Sequence, residues 1–196
     1  MLKKILILSL LSAYFASCHT SKEFIVTDSY LASKTGNKKN AGKSYTYNTT
    51  LTEEDKKYFA KKLGVDKDEI LNVKLYNFIK SWEGTKYIYG GETRNGIDCS
   101  ALMQQLYSYV YNRDLPRTAV EMSLDSRFDL FQPQGKLREG DLVFFRITEE
   151  KIISHVGIYL RNNKFFSANQ YGGVEISSIK KPYWKKNFMA AGRYKQ

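Results

Sequence analysis

Asp98-Cys99-Ser100 follows closely on Tyr87-Ile88-Tyr89-Gly90-Gly91 and leads into an apolar run, so a thiol stands where a helix should begin. Unpaired N–H groups and the dipole at a helix start favour negative charge. That matters because a thiol is mostly protonated at neutral pH and needs an electropositive setting or an adjacent base to supply thiolate. The same N–H groups can hold the oxyanion of a tetrahedral intermediate. The chain has two cysteines and two histidines, and Cys18 and His19 lie at the end of an N-terminal targeting pattern. Cys99 and His155 are therefore the Cys–His pair left to a mature domain.

His155 lies in Ser154-His155-Val156-Gly157-Ile158-Tyr159-Leu160. Alternation places Val156, Ile158 and Leu160 on one face, as core, and His155, Gly157 and Tyr159 on the other, which can line a cleft. Gly157 permits close approach of backbone or ligand. A catalytic histidine needs a third group to fix its tautomer and ring plane. The next strand offers Ser167 and, two residues on, Asn169; Ser167 reads equally as a strand filler. Asp98 and Ser100 stand between two readings, capping the helix or contacting a substrate.

These residues need elements to hold them. Thr52 caps a helix with acids in its first turn that ends at Gly64. A second helix is expected from about Lys67 to Trp82, since Ile70, Val73, Leu75, Phe78, Ile79 and Trp82 recur at near-helical spacing. A third runs from Asp98 or Cys99 to about Tyr111 on a stripe of Leu102, Leu106 and Val110. After Glu139-Gly140-Asp141 the period becomes extended. Leu142 to Phe145, Ser154 to Leu160, Lys164 to Ala168 and Val174 to Ser177 read as strands. Helices first and an antiparallel sheet afterwards make an α+β domain.

The chain has 196 residues, 42% of them hydrophobic, enough for one domain with extensions. Its formal charge of +11, from 31 basic and 20 acidic residues, is spread along the sequence and favours anionic surroundings. No zinc-ligand spacing, phosphate loop or helix-turn-helix pattern is present, so a nucleic-acid partner is not expected. Lys3 and Lys4 precede the apolar run Ile5 to Phe15, which matches an export signal. Phe15-Ala16-Ser17-Cys18 looks like a bacterial lipobox. Residues 1–17 then form a lipoprotein signal peptide, Cys18 takes the lipid, 18–50 form a polar tether and 51–196 the folded domain. The other reading discards Cys18 with a cleaved signal. Joining Cys18 to Cys99 would consume both anchor and nucleophile, so a free thiol is expected at Cys99.

An ordered series of motifs between Leu75 and Tyr194 resembles the NlpC/P60 papain-like cysteine peptidases of bacterial cell walls. It comprises Gly84-Thr85-Lys86-Tyr87-Ile88-Tyr89-Gly90-Gly91, Gly96-Ile97-Asp98-Cys99-Ser100, Leu115-Pro116-Arg117-Thr118, Gly140-Asp141-Leu142-Val143-Phe144-Phe145, His155-Val156-Gly157-Ile158-Tyr159 and Gly172-Gly173-Val174-Glu175-Ile176-Ser177. Pro182-Tyr183-Trp184-Lys185-Lys186 is similar to lipid-anchored members of that family. The resemblance implies a papain-like core with N-terminal helices packed on an antiparallel sheet. It implies Cys99 as nucleophile, His155 as general base, and Tyr87 supplying a hydroxyl near the oxyanion or substrate backbone. It further implies stem peptides of peptidoglycan as substrate, with no metal or organic cofactor, in an exported, membrane-anchored monomer facing the periplasm or wall. Ala101 stands where the family usually has glycine. Ser167 aligns with a third catalytic position that is commonly histidine. A wall-binding relative with weak or no activity, and Cys–His chemistry on another acyl compound, are the competing expectations.

Overall fold

The computed structural model describes residues 24–27, 44–47, 49–132, 136–150 and 152–195. The expected signal segment 1–17 and Cys18 lie outside the described residues. Within the stretch read as a tether, β1 (Phe24–Thr27) pairs antiparallel with β2 (Ser44–Tyr47). Both runs are rich in aromatic and β-branched residues, which suit a pleated ladder.

The first helix, α1 (Glu53–Leu63), begins and ends as its residues dictate. Thr52 Oγ1 accepts from the Asp55 N–H at 3.1 Å while the Asp55 carboxylate accepts from the Thr52 N–H, and Gly64 closes the helix at φ 68°. The next helix is shorter than its periodicity implies. Residues 67–82 divide into a 3-10 turn, Lys67–Glu69, and α2 (Val73–Trp82). Asp66 and Glu69 cap the turn reciprocally, and Asn72 accepts from the Leu75 N–H at 3.2 Å to start a new helix. Ile70 stays buried at the break. The apolar spacing therefore survives although the rod does not.

A two-strand ladder, β3 (Glu92–Thr93) and β4 (Gly96–Ile97), leads directly into α3 (Cys99–Tyr111). Asp98 caps α3 by accepting from the Ala101 N–H at 2.7 Å. Asn112 ends it in the left-handed region at φ 53°. The short α4 (Ala119–Leu124) is set by reciprocal caps from Thr118 and Glu121.

The rest of the chain builds one six-stranded antiparallel sheet. Its strands are β5 (Phe128–Phe131), β6 (Leu142–Phe145), β7 (His155–Tyr159), β8 (Lys164–Asn169), β9 (Gly173–Ser178) and, after α5 (Pro182–Asn187), β10 (Phe188–Tyr194). The spatial order is β5-β10-β6-β7-β8-β9. β6 to β9 fall within a residue of the expected bounds. β5 and β10 were not read from the sequence; Ala190-Ala191-Gly192 carries no alternation, and β10 is fixed by pairing with β5 and β6 far away in the chain.

Both faces of the sheet are covered. Leu142, Phe144, Val156, Ile158, Phe166 and Ala168 join the helices in the main core, and α3 lies against β7 and β8. Val143, Phe145, Tyr159 and Phe165 meet Trp184 of α5 in a second apolar cluster on the opposite face. The architecture is α+β, helices on an antiparallel sheet, as expected. No helix among the described residues is long and apolar enough to cross a membrane.

Candidate active site

Cys99 occupies the first turn of α3 and lines a cleft of about 300 Å³ with Tyr87, Asp98, Ser100, Arg117 and Ile153. It is a free cysteine, as expected. Burial at 7% exposure pushes its thiol up to about 11. Against that, the backbone N–H groups of Val156, Ser100 and Cys99 itself favour the thiolate, while the Asp98 charge opposes it. The electropositive helix start is therefore present, but in the resting cleft desolvation outweighs it and the sulfur keeps its proton.

β7 brings backbone to this sulfur: the Val156 amide that favours the thiolate belongs to the residue after His155, whose own ring packs with the second apolar cluster and does not line the cleft. The imidazole is 1% exposed, with ring centroids 5.0 Å from Trp184 and 5.8 Å from Phe145. Its Nε2 has no hydrogen-bond partner among the described residues. Burial alone holds the imidazole down to about 3, so it is neutral at pH 7. Gly157 is needed where it stands, because a Cβ there would lie 2.7 Å from the Phe166 carbonyl oxygen and 3.0 Å from Ser167 Cβ.

A pH effect on stability follows from that depressed value. An unfolded histidine, titrating near 6.5, binds a proton that the folded one refuses. The contribution is thus whole above pH 6.5 and lost as the pH falls towards 3. His155→Phe removes this linkage while keeping an aromatic ring. Thermal unfolding from pH 7 to 4 should show a steeper fall in Tm for the wild type than for the variant; parallel curves would refute the assignment.

The two candidates for a third group differ. Ser167 is fully buried on β8, and its Oγ has no hydrogen-bond partner among the described residues. Asn169 is committed elsewhere: Nδ2 donates to Glu175 Oε1 at 2.9 Å, and Oδ1 accepts from the N–H groups of Tyr171 and Gly172.

Asp98 and Ser100 line the cleft, but their polar atoms are held in place. Arg117 Nη2 meets Asp98 Oδ2 at 2.6 Å and Nη1 donates to Ser100 Oγ at 2.8 Å, while Ser100 Oγ donates to Asp98 Oδ1 at 3.0 Å. Arg117 Nε reaches Glu92 at 3.1 Å. The capping reading of Asp98 is thus realised in the structure. Tyr87 is positioned by a bridge to Ile97, just ahead of Cys99. Burial, then Cys99 and Asp98, push its hydroxyl up to about 12, so it remains a hydrogen-bond donor at neutral pH.

Two residues around the site were given no role by sequence reasoning. Arg117, nineteen positions from Asp98, signals itself only through its motif. Trp184, the cover over His155, carries one sequence cue: Pro182 starts a helix just after β9 and sets the tryptophan against the sheet. Among the described residues no three His, Cys, Asp or Glu side chains are grouped as a metal ion would require.

Helices laid on one antiparallel sheet, with a cysteine at the start of the helix that packs on the strand carrying the histidine, define a papain-like α+β domain. The model of the NlpC/P60 family matches residues 84–193, and the chain belongs to that family. It is 40% identical over 120 residues to a probable endopeptidase NlpC homolog of Haemophilus influenzae, covering 61% of each chain. It is 40% identical over 112 residues to the murein DD-endopeptidase MepS/murein LD-carboxypeptidase of Escherichia coli K12, covering 57% of each. The matches thus span about three fifths of these relatives' length. Among solved structures, an NLP/P60 family protein similar to lipoprotein from Staphylococcus aureus aligns with a TM-score of 0.55 at 24% identity, over 76% of this chain and 44% of its own. That likeness carries the fold.

Proposed function

We propose that the protein is a cysteine endopeptidase that hydrolyses stem peptides or cross-links of bacterial peptidoglycan. The observation that supports it most is the Cys99 thiol in a cleft, at a helix start, with the backbone amide of the residue after His155 on its sulfur. Relatives named as murein and NlpC endopeptidases supply the substrate class.

Both groups are neutral at rest, so proton transfer accompanies attack. His155 accepts the thiol proton as the sulfur bonds to the scissile carbonyl carbon, and N–H groups at the start of α3 with the Tyr87 hydroxyl receive the developing oxyanion. The C–N bond breaks, the proton passes from His155 to the departing amine, and a thioester remains. Water, deprotonated by His155, attacks the thioester and returns the thiol. Arg117 keeps Asp98 and Ser100 in register at the cap, so that the α3 N–H groups point into the cleft.

The setting belongs to the same reading. Export by residues 1–17, acylation at Cys18 and a tether over 18–50 would hold the domain at a membrane surface within reach of the wall, and the +11 charge would favour both acidic surfaces. The orphaned Ser167 at the usual third position favours a second reading, a wall-binding protein with little turnover. Mass spectrometry of fragments released from purified sacculi decides between them. New termini within stem peptides or cross-links are expected; intact muropeptides, with sacculi that still bind protein, would replace the enzyme reading by the binding one.

A further inference from the structure

We infer that Glu175 is the charged positioning residue for His155, acting through the Ser167 hydroxyl. This rests on the Cys–His reading above and supplies the anionic partner that β8 lacks.

Glu175 opposes Ser167 in the β8–β9 register. Directly opposed side chains project on one face with Cβ atoms about 5 Å apart. That face is also the one occupied by His155. Ser167 alternates with Phe165, which packs on Phe145 and Trp184, and those two rings flank the imidazole. The contact that a Cβ on Gly157 would make with Ser167 Cβ places β7 and β8 in the same arrangement. Ser167 thus lies level with Gly157 on β7 and Glu175 on β9, and His155, two residues before Gly157 on the same face, is its diagonal neighbour.

The hydrogen-bonding atoms fit the order. His155 Nε2 and Ser167 Oγ are both buried and both without a partner, a costly state for two polar atoms unless they serve each other or a shared neighbour. Glu175 is steadied from both sides: its Oε1 accepts from Asn169 Nδ2 at 2.9 Å and from Ser177 Oγ at 3.0 Å. In the working state Nε2–H donates to Ser167 Oγ, and the Ser167 hydroxyl donates to the Glu175 carboxylate after a side-chain rotation. That chain fixes the tautomer with Nδ1 open to the Cys99 proton. It also sets a negative charge behind the imidazolium that forms during attack. Asn169, weighed as a third group in its own right, instead orients Glu175.

The test uses the full chain with uniformly ¹⁵N-labelled histidine. His155 and His19 are the two histidines of the chain, so His155→Phe assigns the signals. Glu175→Gln, at a half-buried position, should lower kcat about 10- to 100-fold with KM changed less than about 2-fold, and should shift the His155 ring nitrogens towards the other tautomer. Ser167→Ala should produce the same loss, and adding Glu175→Gln to it should cost nothing more, because the two act as one unit. Unchanged kcat with unchanged nitrogen signals in Glu175→Gln would overturn the proposal, as would losses that multiply in the double variant. The nitrogen signals are read without substrate. A wild type that cuts no sacculi would therefore remove the hydrolase reading while leaving the role of Glu175 decided by the spectra.

Discussion

Replacing Cys99 by alanine is expected to reduce release of stem-peptide fragments from sacculi by about 10⁴-fold or more, since removal of a nucleophile leaves only binding and oxyanion contacts. The fold should survive. Cys99 is a small buried side chain, and its loss leaves the Asp98 cap and the apolar stripe of α3 in place, at a cost of about 1 kcal/mol. Cys99→Ser is a useful companion, because its hydroxyl keeps the shape while having far less anionic character. A Tm close to that of the wild type together with lost cleavage locates the effect in the chemistry. Digestion by Cys99→Ala at the wild-type rate would remove Cys99 from the mechanism.

Arg117→Met is expected to damage both stability and turnover. Asp98 is nearly inaccessible, and Arg117 supplies two of its contacts as well as one to Ser100. Removing one member of a buried charge pair costs about 3–5 kcal/mol. Because the Arg117 side chain is 37% exposed, screening reduces the expected loss to about 2 kcal/mol. The cap that aims the α3 N–H groups is disturbed as well, so kcat should fall along with Tm. Asp98→Asn combined with Arg117→Met removes both charges and should recover a large part of the stability but little of the activity. Denaturant titrations of the two single variants and the double variant measure the coupling; simple additivity would show that the pair does not act as a unit.

The parts legible in the sequence were those governed by local chemistry. The cap at Asp98, the helix behind Cys99 and the alternation in His155 to Tyr159 all depend on near neighbours. They were enough to single out Cys99 and His155 as candidates. The second helix was overextended because apolar spacing reports burial, and Ile70 is buried without being helical. The strand β10, the ion cluster around Arg117 and the Trp184 cover were out of reach for another reason: each joins residues distant in the chain. Nothing near Arg117 announces Asp98 as its partner, and nothing near Trp184 announces His155. Ser167 illustrates the remaining gap. It was offered by the strand that follows His155 and by resemblance, whereas the carboxylate across from it becomes visible only when β8 and β9 are laid in register.

The placement of β10 has a consequence for how the molecule comes to life. It comes late in the chain, yet it lies inside the sheet between β5 and β6, and the preceding α5 delivers the ring that roofs His155. A growing polypeptide that has reached only Ser178 can make the β6–β9 meander and α3, so Cys99 and His155 are both in place, but His155 lacks its Trp184 cover and β5 has no partner. Such long-range closure is slow relative to hairpin formation. The sheet is therefore closed only when β10 has joined β5 to β6, and the roof over His155 arrives with it.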